Sequence, residues 1–341
     1  MIYRSKAPLR IGLAGGGTDV SPFSDEYGGA ILNATISLAA HANIESLDSP
    51  EIIIESIDQK KIQQFQWSHS LPIDGTLDLL KGVYNRIQKD YNLPATGFKL
   101  STFVDAPAGS GLGTSSTLVV AIIGAFAEML KLPLGDYDIA HYAYEIERTD
   151  LKLAGGKQDQ YAATFGGVNF MEFDKGDKVI VNPLRIRPEY LHELQNNLVL
   201  YFTSTSRESA TIIKEQQKNV TEKNSDSIKA MLQLKEQAKM MKEALLKGKL
   251  HEIGEILDFG FQQKRLMAHN ISNSSIENIY DAAKNAGATG GKISGAGGGG
   301  FMIFYCPGNT RYKVIETLKT FGGYCNDYQF TKHGLTTWTA K

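Results

Sequence analysis

Apolar positions along the chain follow two periods, and the changes of period mark its elements. Alternating or β-branched stretches predict strands over residues 2–5, 52–57, 97–104, 198–202, 290–293, 301–305 and 327–331. Residues 30–45 read as one or two further strands, and 167–173 with 178–182 as a hairpin. Stripes at helical spacing predict helices over 77–91, 118–127, 134–148, 157–165, 250–267, 276–286 and 312–321. Residues 204–248 are strongly helical, and their stripe of Met231, Leu234, Ala238, Met241 and Leu245 reads as core. Residues 59–72 are polar around Trp67 and read as a surface loop or edge strand, with Trp67 packing rather than covering a base. Helices and strands are mixed, which gives an α+β class. The pattern shifts over 182–197, and this divides the chain into 1–190 and 191–341.

The chain is organised around residues 105–121, D-A-P-A-G-S-G-L-G-T-S-S-T-L-V-V-A. Pro107 ends the strand that enters it, because proline brings no N–H to a ladder. Gly109, Gly111 and Gly113 then alternate, and Thr114, Ser115, Ser116 and Thr117 follow where a helix begins. Glycines let the backbone press close to a ligand. The free N–H groups and positive dipole end of the new helix then make an anion site, most simply a phosphate cradle. No Lys follows Gly113, so this is not a Walker A loop. The third glycine of a dinucleotide fingerprint is also missing from its offset.

Composition narrows the partners. With 36 basic and 37 acidic residues, the formal charge of −1 argues against a nucleic-acid or acidic-membrane surface. Cys306 and Cys325 are far apart in apolar surroundings and read as buried thiols in a cytoplasmic protein. The start M-I-Y-R-S-K has no apolar leader pattern, and no apolar run approaches a membrane span. The seven histidines form no close pairs that would suggest zinc or triad chemistry.

Phosphoryl transfer needs a phosphate cradle, Mg²⁺, a carboxylate near the attacking hydroxyl and positive charge. The sequence offers each. The hydroxyl of Ser115 or Ser116, with the Glu147 carboxylate, suits a hard cation. Asp159 falls in the first turn of a helix, where the dipole keeps it ionised. It can accept the hydroxyl proton or orient the alcohol electrostatically. Arg10 can pair with Asp159 or with the phosphoryl group in transfer. Gly15, Gly16 and Gly17 form a turn that sets Thr18 and Asp19 on bare backbone beside Arg10.

Three separated segments, residues 6–19, 105–117 and 292–301, resemble the GHMP small-molecule kinases, which include galactokinase and mevalonate kinase. The resemblance covers essentially the whole chain. It implies a two-lobed GHMP kinase fold: an N-terminal ATP-binding lobe like ribosomal protein S5 domain 2, and a ferredoxin-like C-terminal lobe. It implies that Pro107, Gly109, Ser110, Gly111, Leu112, Gly113, Thr114, Ser115 and Ser116 bind ATP. It also implies that Asp159 is the catalytic Asp, with Arg10 beside it, and that Glu147 and a loop serine are the Mg²⁺ ligands. Residues 295–300, Gly297 among them, become the third motif, on the substrate side.

Within the family, A-G-G-G-T-D at 14–19 looks like the sugar 1-kinase branch, above all its heptose phosphate kinases and the kinase part of fucokinases. The implied reaction phosphorylates the anomeric hydroxyl of a heptose 7-phosphate, giving the 1,7-bisphosphate for nucleotide-activated heptose. A kinase of free L-fucose or galactose is the alternative, as is a non-catalytic binding protein on the same scaffold. Gly17, Thr18 and Asp19 would then meet the sugar. A phosphorylated substrate needs cations at its far end, and Lys157, Arg207, Lys264 and Arg265 are the candidates. The expected partner is thus a small sugar phosphate; the sequence leaves a homodimer open.

Overall fold

The computed structural model describes residues 1–205 and 209–341. Its first strand, β1 (Ile2–Ala14), runs well past residue 5, where the alternation fades. From Ala7 onward the strand is buried without a break, so its pattern no longer alternates. It pairs antiparallel with β2 (Gly29–Ser46), and the register slips between Pro8 and Arg10 and again between Gly12 and Ala14. Such irregularities bend a strand and re-aim its side chains.

β3 (Glu51–Ser56), β4 (Lys61–Gln66) and β5 (Phe98–Val104) extend this sheet beyond β2. β3 lies parallel to β5, and β4 closes that side as a largely exposed edge strand. β6 (Val168–Phe173) pairs with β2 and carries β7 (Val179–Pro183). Trp67, just past β4, packs against the core edge, with its ring 4.7 Å from that of His69. A second sheet holds β8 (Leu198–Phe202), β9 (Gly290–Ile293), β10 (Phe301–Tyr305) and β11 (Tyr324–Asn326) in the order β11-β8-β10-β9.

The helix Thr114–Leu130 is apolar on nearly every face and buried from Ser116 to Phe126, as an all-round hydrophobic helix must be. It packs on β1 and β2 and so fixes the loop before it against the first sheet. The stretch 204–248 is not one helix. Within the described residues, Ser209–Thr221 and Ser225–Lys247 are separated where Lys223 takes φ +57° and the Asn224 side chain accepts from the N–H groups of Asp226 and Ser227. The stripe from Met231 to Leu245 is buried, as its spacing predicts.

Three differences from the sequence pattern concern the division of the chain. A helix, Pro188–Asn197, fills the stretch where the pattern shifts, so a division at residue 190 falls inside it. Residues 327–331 do not form a strand; a single bridge joins Phe330 to Ile36. The last strand comes later: β12 (Thr336–Ala340) pairs antiparallel with β1 and belongs to the first sheet. Its Thr-Thr-Trp-Thr-Ala sequence lies half exposed and carries too little apolar signal to be read as a strand. Among the described residues no helix is long and apolar enough to cross a membrane.

β12 covers the outer edge of β1, and Thr337 and Thr339 donate to the Glu128 carboxylate at 3.3 and 2.7 Å. A variant ending at Gly334 is expected to melt lower by ~3 °C or more, since each lost kcal/mol moves the midpoint by a few degrees. An unchanged midpoint in a calorimetric scan would show that the strand contributes nothing to the first sheet.

Candidate active site

The loop between β5 and the Thr114–Leu130 helix is held by backbone contacts from both sheets. Arg10 N–H donates to Leu112 O at 3.1 Å, and Phe301 N–H donates to Ser110 O at 2.8 Å. Gly111 has φ +82°, and a Cβ on it would stand 2.7 Å from Ser294 O. Only glycine permits both that conformation and that approach. The following helix has no side-chain cap, so its first N–H groups and the positive end of its dipole remain available to a phosphate. Gly109, Gly111, Gly113, Thr114, Ser115 and Ser116 line a cleft of about 300 Å³. Pro107, Ser110 and Leu112 do not line it; Ser110 and Leu112 are fully buried and shape the loop from behind.

Beside the loop, with its carboxylate against Gly113, stands Asp159, in the first turn of the Gln158–Phe165 helix. Arg10 Nε and Nη2 each lie 2.7 Å from Asp159 Oδ1. Arg10 Nη1 donates to Gly111 O at 2.6 Å, and Ser294 Oγ donates to the same oxygen at 2.9 Å. The guanidinium is nearly inaccessible, whereas the Asp159 side chain is 24% exposed. Its Oδ2 receives no hydrogen bond from the described residues and is the free face of the pair.

Glu147 sits on a π-helical turn, Ile146–Asp150, that continues the helix Asp136–Glu145. Such turns often accompany functional sites. Gln160 Nε2 bridges Glu147 Oε2 at 2.5 Å and Ser116 Oγ at 3.2 Å. Gln160 Oε1 is buried without a partner. Burial pushes the Glu147 carboxyl above its ordinary range, with Arg148, Ser116 and Gln160 opposing. Ser115, by contrast, is exposed at the cleft mouth.

Asp19 also lines the cleft, next to the start of the helix that carries Asp159, and is almost fully buried. Its Oδ2 accepts from the N–H groups of Lys157 and Gln158 at 2.9 and 3.0 Å, so it caps the helix that carries Asp159. A Cβ on Gly156 would stand 1.9 Å from that oxygen, so glycine is required there. Desolvation raises the Asp19 carboxyl, against the lowering N–H of Gln158. Gly17 lines the cleft, but Thr18 does not: its hydroxyl donates to Gly15 O and Ala30 O and locks the turn.

The candidate cations separate. Lys264 lines the cleft and donates to Gly295 O; burial pulls it down to about 8, with Arg10 adding repulsion. Lys157 points away from the cleft, to Asp177 and Asp25 at 2.8 and 3.4 Å. Arg265 pairs with Glu277 at 2.7 Å and lies over the Phe261 ring. Arg207 falls outside the described residues. Gly297 backs onto Ile271 rather than lining the cleft, where Gly295 and Ala296 stand instead. Gln160, Ser294 and Lys292 are functional residues that the sequence reading did not single out, although the last two lie in the 292–301 segment. Lys292 is buried and donates to Gly12 O at 2.8 Å, and burial holds it well below its ordinary value.

Comparison with known proteins identifies the family. Residues 78–167 match the family model described as the GHMP kinases N terminal domain, and 241–323 match the GHMP kinases C terminal model. The chain is 47% identical to a D-glycero-alpha-D-manno-heptose 7-phosphate kinase of Campylobacter jejuni over 98% of both chains. A crystal structure of a D-glycero-D-manno-heptose 1-phosphate kinase from Bacteriodes thetaiotaomicron superposes with a TM-score of 0.85 at 45% identity, covering 99% of each chain. An L-fucokinase/L-fucose-1-P guanylyltransferase of Bacteroides fragilis is 27% identical over 88% of this chain but 34% of its own length. The N- and C-terminal models together with the near full-length relative show that this chain belongs to the GHMP kinase family of ATP-dependent phosphotransferases.

Proposed function

We propose that this kinase transfers the γ-phosphoryl group of ATP to the anomeric hydroxyl of D-glycero-D-manno-heptose 7-phosphate, giving the 1,7-bisphosphate and ADP. The sugar is supported by the 47% identical relative that bears that substrate's name. The transfer is supported by one observation above the others: the free Oδ2 of Asp159 lies in the cleft beside the uncapped helix end, against Gly113.

The glycine loop and the N–H groups of Thr114, Ser115 and Ser116 hold the phosphate chain. Asp159 Oδ2 receives the hydrogen bond of the anomeric hydroxyl and takes its proton as the oxygen bonds to phosphorus. Arg10 fixes the orientation of that carboxylate and keeps positive charge beside the phosphoryl group in flight. Lys264 adds a second cation to the cleft, near Arg10. Asp19, with one oxygen on the helix, has the other for the sugar hydroxyls.

Glu147 and Ser116 are the proposed Mg²⁺ ligands, with Ser115 at the mouth. A buried carboxylate with a raised proton affinity, whose one cationic partner among the described residues is Arg148 at 3.8 Å, is a group suited to a cation. Among the described residues no cluster of His, Cys, Asp or Glu could cage a metal unaided. Mg²⁺ characteristically completes its shell with water and substrate phosphates. Bound there, it would neutralise charge on the β- and γ-phosphates. Two free thiols, Cys306 and Cys325, fit a reducing cytoplasm.

An ADP-release assay tests the substrate: turnover is expected with the heptose 7-phosphate, and turnover only with L-fucose or galactose would overturn the assignment. Asp159→Asn is expected to lower kcat by about 10²-fold or more while an ATP analogue binds as before. Full activity in that variant removes Asp159 from the reaction. Glu147→Gln should raise the Mg²⁺ concentration for half-maximal rate roughly tenfold; an unchanged requirement would move the metal elsewhere. Lys264 is charged below a pH of about 8 and neutral above it. The value of kcat/KM should therefore fall as pH rises through that point, and Lys264→Arg should abolish the fall, because Arg stays charged. A fall that persists in the variant would belong to another group.

A further inference from the structure

A second cleft, of about 270 Å³, adjoins the first. The two share Arg148, Leu153, Ala154 and Gly155 as a common wall. The second cleft is lined by Arg148, Lys152 and Lys214, and no acidic residue lines it. Lys152 and Lys214 form no ion pair with any described residue, and both are exposed. Arg148 donates to the carbonyls of Leu153 and Gly156 at 3.3 Å and pairs at 3.8 Å with Glu147, which does not line this cleft. Asp25 and Asp177, which act on Tyr144 in the same wall, are engaged by Lys157.

We propose that this cationic annex holds the phosphate that the sugar already carries. This rests on the assignment of a sugar phosphate as substrate. The two clefts share the wall of Arg148 and residues 153–155, so a phosphate on the exocyclic end of a sugar seated in the first cleft has the second beside it. A phosphate dianion demands several donors with positive charge, and three cations with no carboxylate among them supply this. Of the cations read from the sequence, Lys157 and Arg265 are paired with acids, and Lys264 stands beside Arg10 and Asp19. None of those three reaches the annex. Lys152 and Lys214 therefore act as specificity residues: they recognise the phosphate and leave the transfer alone.

The double variant Lys152→Ala/Lys214→Ala tests this, because both side chains are exposed and their loss leaves the core intact. For the heptose 7-phosphate, kcat/KM is expected to fall roughly tenfold or more, through KM, as charged hydrogen bonds are removed. For the same sugar without its phosphate, kcat/KM should stay unchanged. Equal losses on both substrates, or no loss on either, would overturn the proposal. A second measurement stands apart from the identity of the sugar. With the nucleotide loop filled by a non-hydrolysable ATP analogue, inorganic phosphate should bind the unaltered protein in a calorimetric titration and fail to bind the double variant. Loss of that binding supports the annex even where the heptose assignment itself fails. Equal binding by both proteins, or by neither, overturns the annex.

Discussion

The carbonyl oxygen of Gly111 is where three distant parts of the chain meet. It accepts from the Arg10 guanidinium of β1 and from the Ser294 hydroxyl that follows β9. The same guanidinium holds Asp159. One oxygen on a glycine loop therefore sets the loop, the cation and the carboxylate relative to one another. The backbone bonds Arg10 N–H to Leu112 O and Phe301 N–H to Ser110 O brace the loop on either side. A side chain at residue 111 would break the contact with Ser294 from which this arrangement is built. Placement to within fractions of an ångström is what a phosphoryl transfer enzyme must supply, since the chemistry asks for little else.

Such an arrangement concentrates positive charge in a poorly hydrated place. Arg10, Lys264 and Lys292 are all buried, and each of the two lysines feels Arg10 as well as its own desolvation. Backbone carbonyls, Gly295 O and Gly12 O, take one hydrogen bond each, but neither carries a full negative charge. For Lys264 the sign is clear: its folded value of about 8 lies below its ordinary 10.5. Below a pH of about 8 the buried charge costs stability; between there and 10.5 the unfolded chain binds more protons, and the folded state gains as pH rises. The site is thus strained electrostatically until an anion enters it, which is how a site spends stability on function.

Much of this was legible in the sequence because the signals were local. The glycine loop, the hydroxyls after it and Asp159 in a first helical turn are each patterns of a few neighbouring residues, and all reach the same cleft. What depends on direction was not legible. Lys157 and Lys264 look alike as charges, but one turns to Asp177 and the other into the cleft. Thr18 stands beside Asp19 in sequence, yet closure of the β1–β2 turn claims its hydroxyl. Gln160 and Ser294 are ordinary residues whose partners come from other segments. β12 escaped for a different reason: an edge strand rich in threonine has no apolar period, and only its pairing with β1 defines it.

On the proposed reading, Asp19 joins sugar recognition to catalysis through the backbone. Its Oδ2 accepts from the N–H groups of Lys157 and Gln158, the residues directly before Asp159. The helix has no side-chain cap of its own, so this carboxylate from the first turn of the chain replaces one. A sugar that hydrogen-bonds the other Asp19 oxygen therefore pulls on the same end of the same helix that aims Asp159. The coupling runs both ways: the two carboxylates repel, since Asp159 raises the proton affinity of Asp19. A bound hydroxyl donating to each of them relieves that repulsion. On the proposed reading, a sugar seated against both acids lowers the electrostatic cost of holding them together, so that recognition of the substrate completes the site that acts on it.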